Sequence, residues 1–117
     1  MSDSEESFQK EARLTRRSEF LRLARTGKKA FTPHFIVIRK DNDQMGRRLG
    51  VTVSSKVGNA VVRNRVKRKL REFFRRQQQR FQANQDTLII ARRGAGDLSH
   101  GNLHRELHRV TGGVQGR

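Results

Sequence analysis

The sequence contains no cysteine, no tryptophan and no tyrosine, and a single proline, Pro33. Without cysteine there is no disulfide framework, no thiolate zinc site and no thiol nucleophile, which suits a reducing compartment. Long apolar runs are missing too. The best are FIVI at 35–38 and LIIA at 88–91, far short of the ~20 apolar residues that span a bilayer. The opening MSDSEESFQKEAR is acidic and polar, with no apolar core of an export signal. Nothing in these residues exports or anchors the chain, so a cytoplasmic location is expected.

Acids are scarce. Eleven Asp and Glu stand against 27 Lys and Arg, a formal net charge of +16 over 117 residues. That balance implies a polyanionic partner and an attraction that weakens with salt. Nucleic acid is the leading class; an anionic membrane fits less well, because a surface helix wants a full apolar face and little other folded structure. The shortage of acids also argues against chemistry by the chain itself. No paired carboxylates or Ser–His–Asp constellation stand out, and GRRLG and RRGAGD lack the Lys-Ser/Thr of a nucleotide phosphate loop.

The length allows one domain with a modest core. Residues 1–12 read as a disordered tail, 13–110 as a single RNA-binding α/β domain and 111–117 as a flexible tail. Phe20, Leu21, Leu23 and Ala24 predict a helix over 18–26, with Ser18 as cap and Gly27 at its stop. Residues 30–40 read as a strand whose start Pro33 confines to an edge or bend. Leu49, Val51 and Val53 alternate with Gly50, Thr52 and Ser54, a half-buried strand that looks like the hairpin partner of 30–40. From 59 to about 82, Val62, Val66, Leu70, Phe73, Phe74 and Phe81 recur at threes and fours, an arc of roughly 120° on a helix. TLIIARR then reads as a buried strand, and Leu103, Leu107 and Val110 mark a last helix. Strand, long helix and strand in succession make a βαβ unit, so part of the sheet is expected to be parallel.

The long helix carries nine basic residues, Arg63, Arg65, Lys67, Arg68, Lys69, Arg71, Arg75, Arg76 and Arg80, against one acid, Glu72. Half the net charge of the chain lies there. A solvated helix face would intersperse acids at i,i+4; this one repels itself, as a phosphate-binding face would. Arginine predominance favours forked contacts to phosphate. Asn64, inside the run, can reach a sugar, a base edge or a bound water. Lys56, Gly58 and Asn59 form the turn into the helix, where free backbone N–H groups favour anions. Phe20 and Phe35 fit either a core or a base-stacking surface. His100, His104 and His108 share one helix side, but H-R-E-L-H is not a zinc-protease spacing and no carboxylate is placed beside them; no metal is assigned.

One stretch carries a resemblance. SSKVGNAVVRNRVKRKLRE at 54–72, above all RNRVKR at 63–68, resembles the signature of the bacterial ribonuclease P protein subunit family. RLTRRSEF, GVTVSSK and TLIIARRGAGDLS extend the likeness over roughly 13–110. The resemblance implies an α/β sandwich of order αβββαβα with a small mixed sheet, a ribosomal-protein-like fold, and a left-handed βαβ crossover against the usual rule. It implies a protein that joins a catalytic RNA to remove the 5′ leader of precursor tRNA, the RNA and its Mg2+ ions performing the hydrolysis. The chain alone is expected not to be catalytic, and no protein partner is implied.

By position, Arg63, Asn64, Arg65, Lys67, Arg68, Lys69 and Arg71 would face the RNA subunit, with Lys56 and Asn59 flanking. A cleft between the first helix and the sheet would take the leader, with Arg13, Arg16, Arg17 and Phe20 lining it. Two departures stand out. Ala24 and Ile38 occupy positions where some relatives carry aromatics, which weakens or shifts stacking, and Ser55 replaces a turn lysine. A general structured-RNA-binding protein of ribosomal type is the alternative, and a DNA-binding module that lays the long helix in a major groove is a third.

Overall fold

Strand β4 (Gln85–Ala91) buries Thr87, Leu88, Ile89 and Ala91, and successive strand residues face opposite sides of a sheet. A strand buried on both faces belongs inside a covered sheet. The computed structural model, which describes residues 13–14, 16–43 and 46–111, places it there. Helix α1 (Arg17–Thr26) leads into β1 (Lys28–Phe31), β2 (Phe35–Asp41) and β3 (Arg48–Val53). Helix α2 (Ala60–Arg76) then crosses to β4, and α3 (His100–Thr111) follows. This is the αβββαβα order that the resemblance implied. The sheet runs β1-β2-β4-β3, antiparallel except for the parallel β3–β4 pair.

The expected hairpin between 30–40 and 49–54 is therefore corrected, because β4 lies between β2 and β3. The parallel register explains the preference. It sets Val51 beside Ile89 and Val53 beside Ala91 on one face, and Arg48 beside Asp86 on the other. The real hairpin is β1–β2, and Pro33 sits in its turn. There Thr32 Oγ1 accepts from the Phe35 N–H at 2.9 Å, closing the bend that proline imposes.

Helix α2 ends at Arg76 rather than near 82; Gln78–Arg80 is a single 3-10 turn. Gln77, Gln78 and Gln79 offer no apolar group to hold another helical turn on the sheet. Phe81 still reaches the core from beyond the helix, 4.7 Å from the Phe74 ring and 6.2 Å from Phe73. At the first helix, Arg16 occupies the N-cap position with no side-chain cap, so Ser18 does not serve as one. Gly27 does end it, its backbone turning extended there, and a Cβ at this position would lie 2.6 Å from Ile38 Cγ2.

Two cores flank the sheet. On one face Val66, Leu70, Phe73 and Phe74 of α2 and Leu103 and Leu107 of α3 pack on Phe35, Val37, Val53 and Ile89. On the other, Leu23 of α1 and Leu14 pack on Ile38 and Leu88. Phe35 is thus core, and α1 roofs only part of its face. The expected loose segments 1–12 and 112–117 lie outside the described residues. Thr111, assigned to the tail from sequence, ends α3 fully buried, its hydroxyl donating to Leu107 O at 2.9 Å.

Candidate nucleic-acid interface

The turn into α2 is built around its cap. Asn59 Oδ1 accepts the Val62 N–H at 3.0 Å, and Arg63 reaches back to the Gly58 carbonyl at 3.0 Å. The first turn of α2 carries no acid, so the positive pole of the helix is unbalanced. Beyond it the exposed side chains Val61, Asn64, Arg65 and Arg68 line one stripe at helical spacing. Lys56 and Asn59 are exposed beside its start.

The remaining predicted contacts are half-buried and diverge from this ridge. Lys69 Nζ reaches the Leu98 carbonyl at 3.4 Å. Arg71 leans toward Arg13; burial, and then the Arg13 charge, lower its pKa. Arg63 and Lys67 flank the ridge, half-buried. At the far end Glu72 Oε2 accepts from Arg75 Nη2 at 2.7 Å and from Arg76 Nε at 2.6 Å. Those bonds hold the Glu72 carboxyl below its ordinary range. The uncompensated charge is therefore a property of the first half of α2.

The second predicted site lies on the α1 side of the sheet. The backbone at Leu14 donates to Leu49 O at 2.8 Å, and Arg13 bridges to Leu49 in parallel sense, extending the β3 edge. Arg13, Arg16 and Arg17 are exposed there. Phe20 lies half-buried over Gly50, where a Cβ would stand 2.8 Å from Phe20 Cε1; only glycine lets the ring approach so closely. Ile38 is not a cleft residue. It is 1% exposed, beneath α1.

The open floor is the neighbouring row, where Ile36 and Ile90 are half-buried and Phe31, 61% exposed, stands at its outer end. Sequence reasoning passed over these three. Placing the hairpin turn at Pro33 would have put Phe31 opposite Ile36 and revealed the row.

One further feature, the contact between Glu106 and His34, went unread. Glu106 Oε2 accepts the His34 N–H at 2.6 Å, and its Oε1 lies 2.9 Å from His34 Nδ1, tying α3 to the β1–β2 turn. Burial works against the Glu106 charge, but hydrogen bonds with Thr32 and His34 hold its carboxyl below the ordinary range. The histidines of α3 do share a side: His104 meets Phe73 edge-on at 5.1 Å and stacks with His108 at 5.4 Å. Among the described residues, no group of three or more His, Cys, Asp or Glu is arranged to hold a metal, and no helix is long and apolar enough to cross a membrane.

Residues 8–114 match the Ribonuclease P family. The chain belongs to the ribonuclease P protein component family. It is 43% identical over 101 residues to the ribonuclease P protein component of Syntrophus aciditrophicus, covering 86% of this chain and 85% of that one. It is 46% identical over 101 residues to that of Citrifermentans bemidjiense, covering 86% of each. Among solved structures, the RNase P protein of Staphylococcus aureus superposes with a TM-score of 0.78 at 32% identity, covering 85% of this chain and 91% of that one. The RNase P protein from Thermotoga maritima gives 0.78 at 29% identity, covering 86% and 94%. As a ribonuclease P protein component the chain is a subunit of a tRNA-processing endoribonuclease, with an RNA partner in that holoenzyme.

Proposed function

We propose that the first half of α2 docks the catalytic RNA subunit, that the cleft beside α1 takes the 5′ leader of precursor tRNA, and that the chain itself cuts no bond. One observation carries this reading: the exposed Asn64–Arg65–Arg68 stripe follows a helix start that contains no acid. Phosphates can approach the helix start without meeting a carboxylate on its first turn, and each phosphate that an arginine neutralises releases condensed counterions. The Asn64 side chain, with no hydrogen bond among the described residues, is left to pair with a ribose or base edge between the two arginine forks.

In this reading Mg2+ is held mainly by the RNA. The carboxylates of Glu19, Glu72, Asp86 and Glu106 each lie against a basic side chain, and a cation would have to displace those partners. The setting is the cytoplasm, where precursor tRNA is available, and no membrane or protein partner is required.

The test is reconstitution. The protein alone should leave precursor tRNA intact, and added to the RNA subunit at low Mg2+ it should restore 5′ cleavage. Absence of stimulation overturns the reading. Equal affinity for unrelated structured RNAs would identify a general scaffold instead, and preference for duplex DNA at matched salt would point to major-groove docking by α2.

A further inference from the structure

Phe31 closes β1 with most of its ring in water. Strand register shows where it stands. Phe31 pairs with Ile36, Ile36 with Ile90, and Ile90 with Thr52. These four residues form one straight row across the whole sheet, on the face that carries α1. The adjacent row, Lys29–Ile38–Leu88–Gly50, is roofed: Ile38 and Leu88 are buried beneath α1, and Phe20 covers Gly50. Among the described residues, the Phe31 row has no such roof. It is an open apolar trough, bordered by Phe20 and Ala24 of α1 and ended by the Phe31 ring.

We infer that Phe31 is the stacking platform for one base of a single-stranded leader entering this trough, so that the aromatic contact lies at the β1 edge. This rests on the leader path proposed above. Neither Ala24 nor Ile38 has a ring, and Ile38 is also sealed in the core, so neither offers a π face. Phe31 offers one, and unpaired bases stack on exposed aromatics of a sheet without strict sequence demand.

Charge selects the occupant. Lys29 is exposed one pleat away on the same face, and the chain as a whole is strongly basic. A second copy of the chain is disfavoured, because an edge strand bearing Lys28 and Lys29 would meet its own lysines.

The experiment measures binding of precursor and mature tRNA by the reconstituted holoenzyme with wild-type protein, Phe31→Leu and Phe31→Trp. Leucine keeps apolar bulk and removes the ring; tryptophan keeps a ring. Phe31→Leu should weaken precursor binding about fivefold or more, the loss of one stacked base, and leave mature tRNA within about twofold. Phe31→Trp should retain precursor binding. An abasic leader nucleotide at one position should reproduce the loss and add nothing to Phe31→Leu.

If wild type prefers precursor and Phe31→Leu matches it, the Phe31 assignment falls and the leader path stands. No preference in wild type removes both. Equal losses for precursor and mature tRNA, or protein dimerisation abolished by Phe31→Leu, would assign the ring another role and overturn the proposal.

Discussion

Arg48 and Asp86 are joined by two parallel hydrogen bonds across the β3–β4 pair, Nε to Oδ1 at 2.8 Å and Nη2 to Oδ2 at 2.9 Å. Both side chains are largely buried, and Asp86 also accepts from Asn42 at 2.7 Å. The hydrogen bond to Asp86 raises the Arg48 pKa. This fork fixes the parallel register that feeds α2. Removing Asp86 takes the acceptor from three donors, two on Arg48 and one on Asn42, so Asp86→Ala should cost about 3 kcal/mol in urea unfolding. A loss below about 1 kcal/mol would mean that apolar packing alone sets the register.

Arginines on the two halves of α2 should behave differently toward RNA. Arg65→Ala with Arg68→Ala should weaken binding of the RNA subunit and flatten the slope of log K against log salt by about two units. Arg75→Ala with Arg76→Ala should flatten it by less than about one unit, because both guanidiniums already serve Glu72. Equal slopes for the two double variants would show that the whole helix contributes its charge uniformly.

Asn59 separates cap from contact. Its carboxamide is committed to the Val62 N–H, so Asn59→Ala should lower stability by about 1 kcal/mol. Asn59→Asp keeps the cap and suits the positive helix pole, leaving stability intact or improved, yet it places an anion where phosphate is proposed to dock. The aspartate variant should bind the RNA subunit more weakly than wild type at low salt. Unaltered binding by Asn59→Asp would remove this turn from the interface.

Periodicity exposed the elements more readily than their neighbours. The stripe Val62–Val66–Leu70–Phe73 declares α2, and its one-sided charge is visible without coordinates. Pairing was hidden because β2 and β3 are adjacent in sequence but separated by β4, a long-range choice governed by the Arg48–Asp86 fork and by β4 being buried on both faces. The same error hid the trough. Treating 30–40 as a continuous strand left Phe31 on no particular face, whereas the Thr32–Pro33–His34 turn sets it against Ile36. Composition likewise counts Glu72 as one acid among nine basic residues; only geometry shows that it engages both Arg75 and Arg76 at one end of the helix and leaves the other end without an acid.

The Glu106–His34 clamp predicts an acid limb. Because the folded carboxyl sits below its ordinary value of 4.5, its stabilisation is complete above that value and is lost as pH falls through the lower folded value. Glu106→Gln should reduce stability at neutral pH by about 1 kcal/mol, and the difference from wild type should shrink toward zero as pH falls through the lowered folded value. Urea midpoints across that range provide the check; a pH-independent gap would assign the loss to packing.

Phe20 and Gly50 test whether ring position matters in the leader path. Phe20→Ala should lower the preference of the holoenzyme for precursor over mature tRNA; equal losses for both would make Phe20 a core residue only. Gly50→Ala approaches the same ring from below. Its Cβ would stand 2.8 Å from Phe20 Cε1 and 3.1 Å from Leu14 Cβ, so the ring must lift from β3. Overpacking of this kind costs about 1–3 kcal/mol. The lifted ring should also narrow the trough and reduce precursor preference, while RNA-subunit affinity through α2 stays unchanged. A Gly50→Ala protein that loses stability but keeps full precursor preference would show that recognition does not depend on where Phe20 rests.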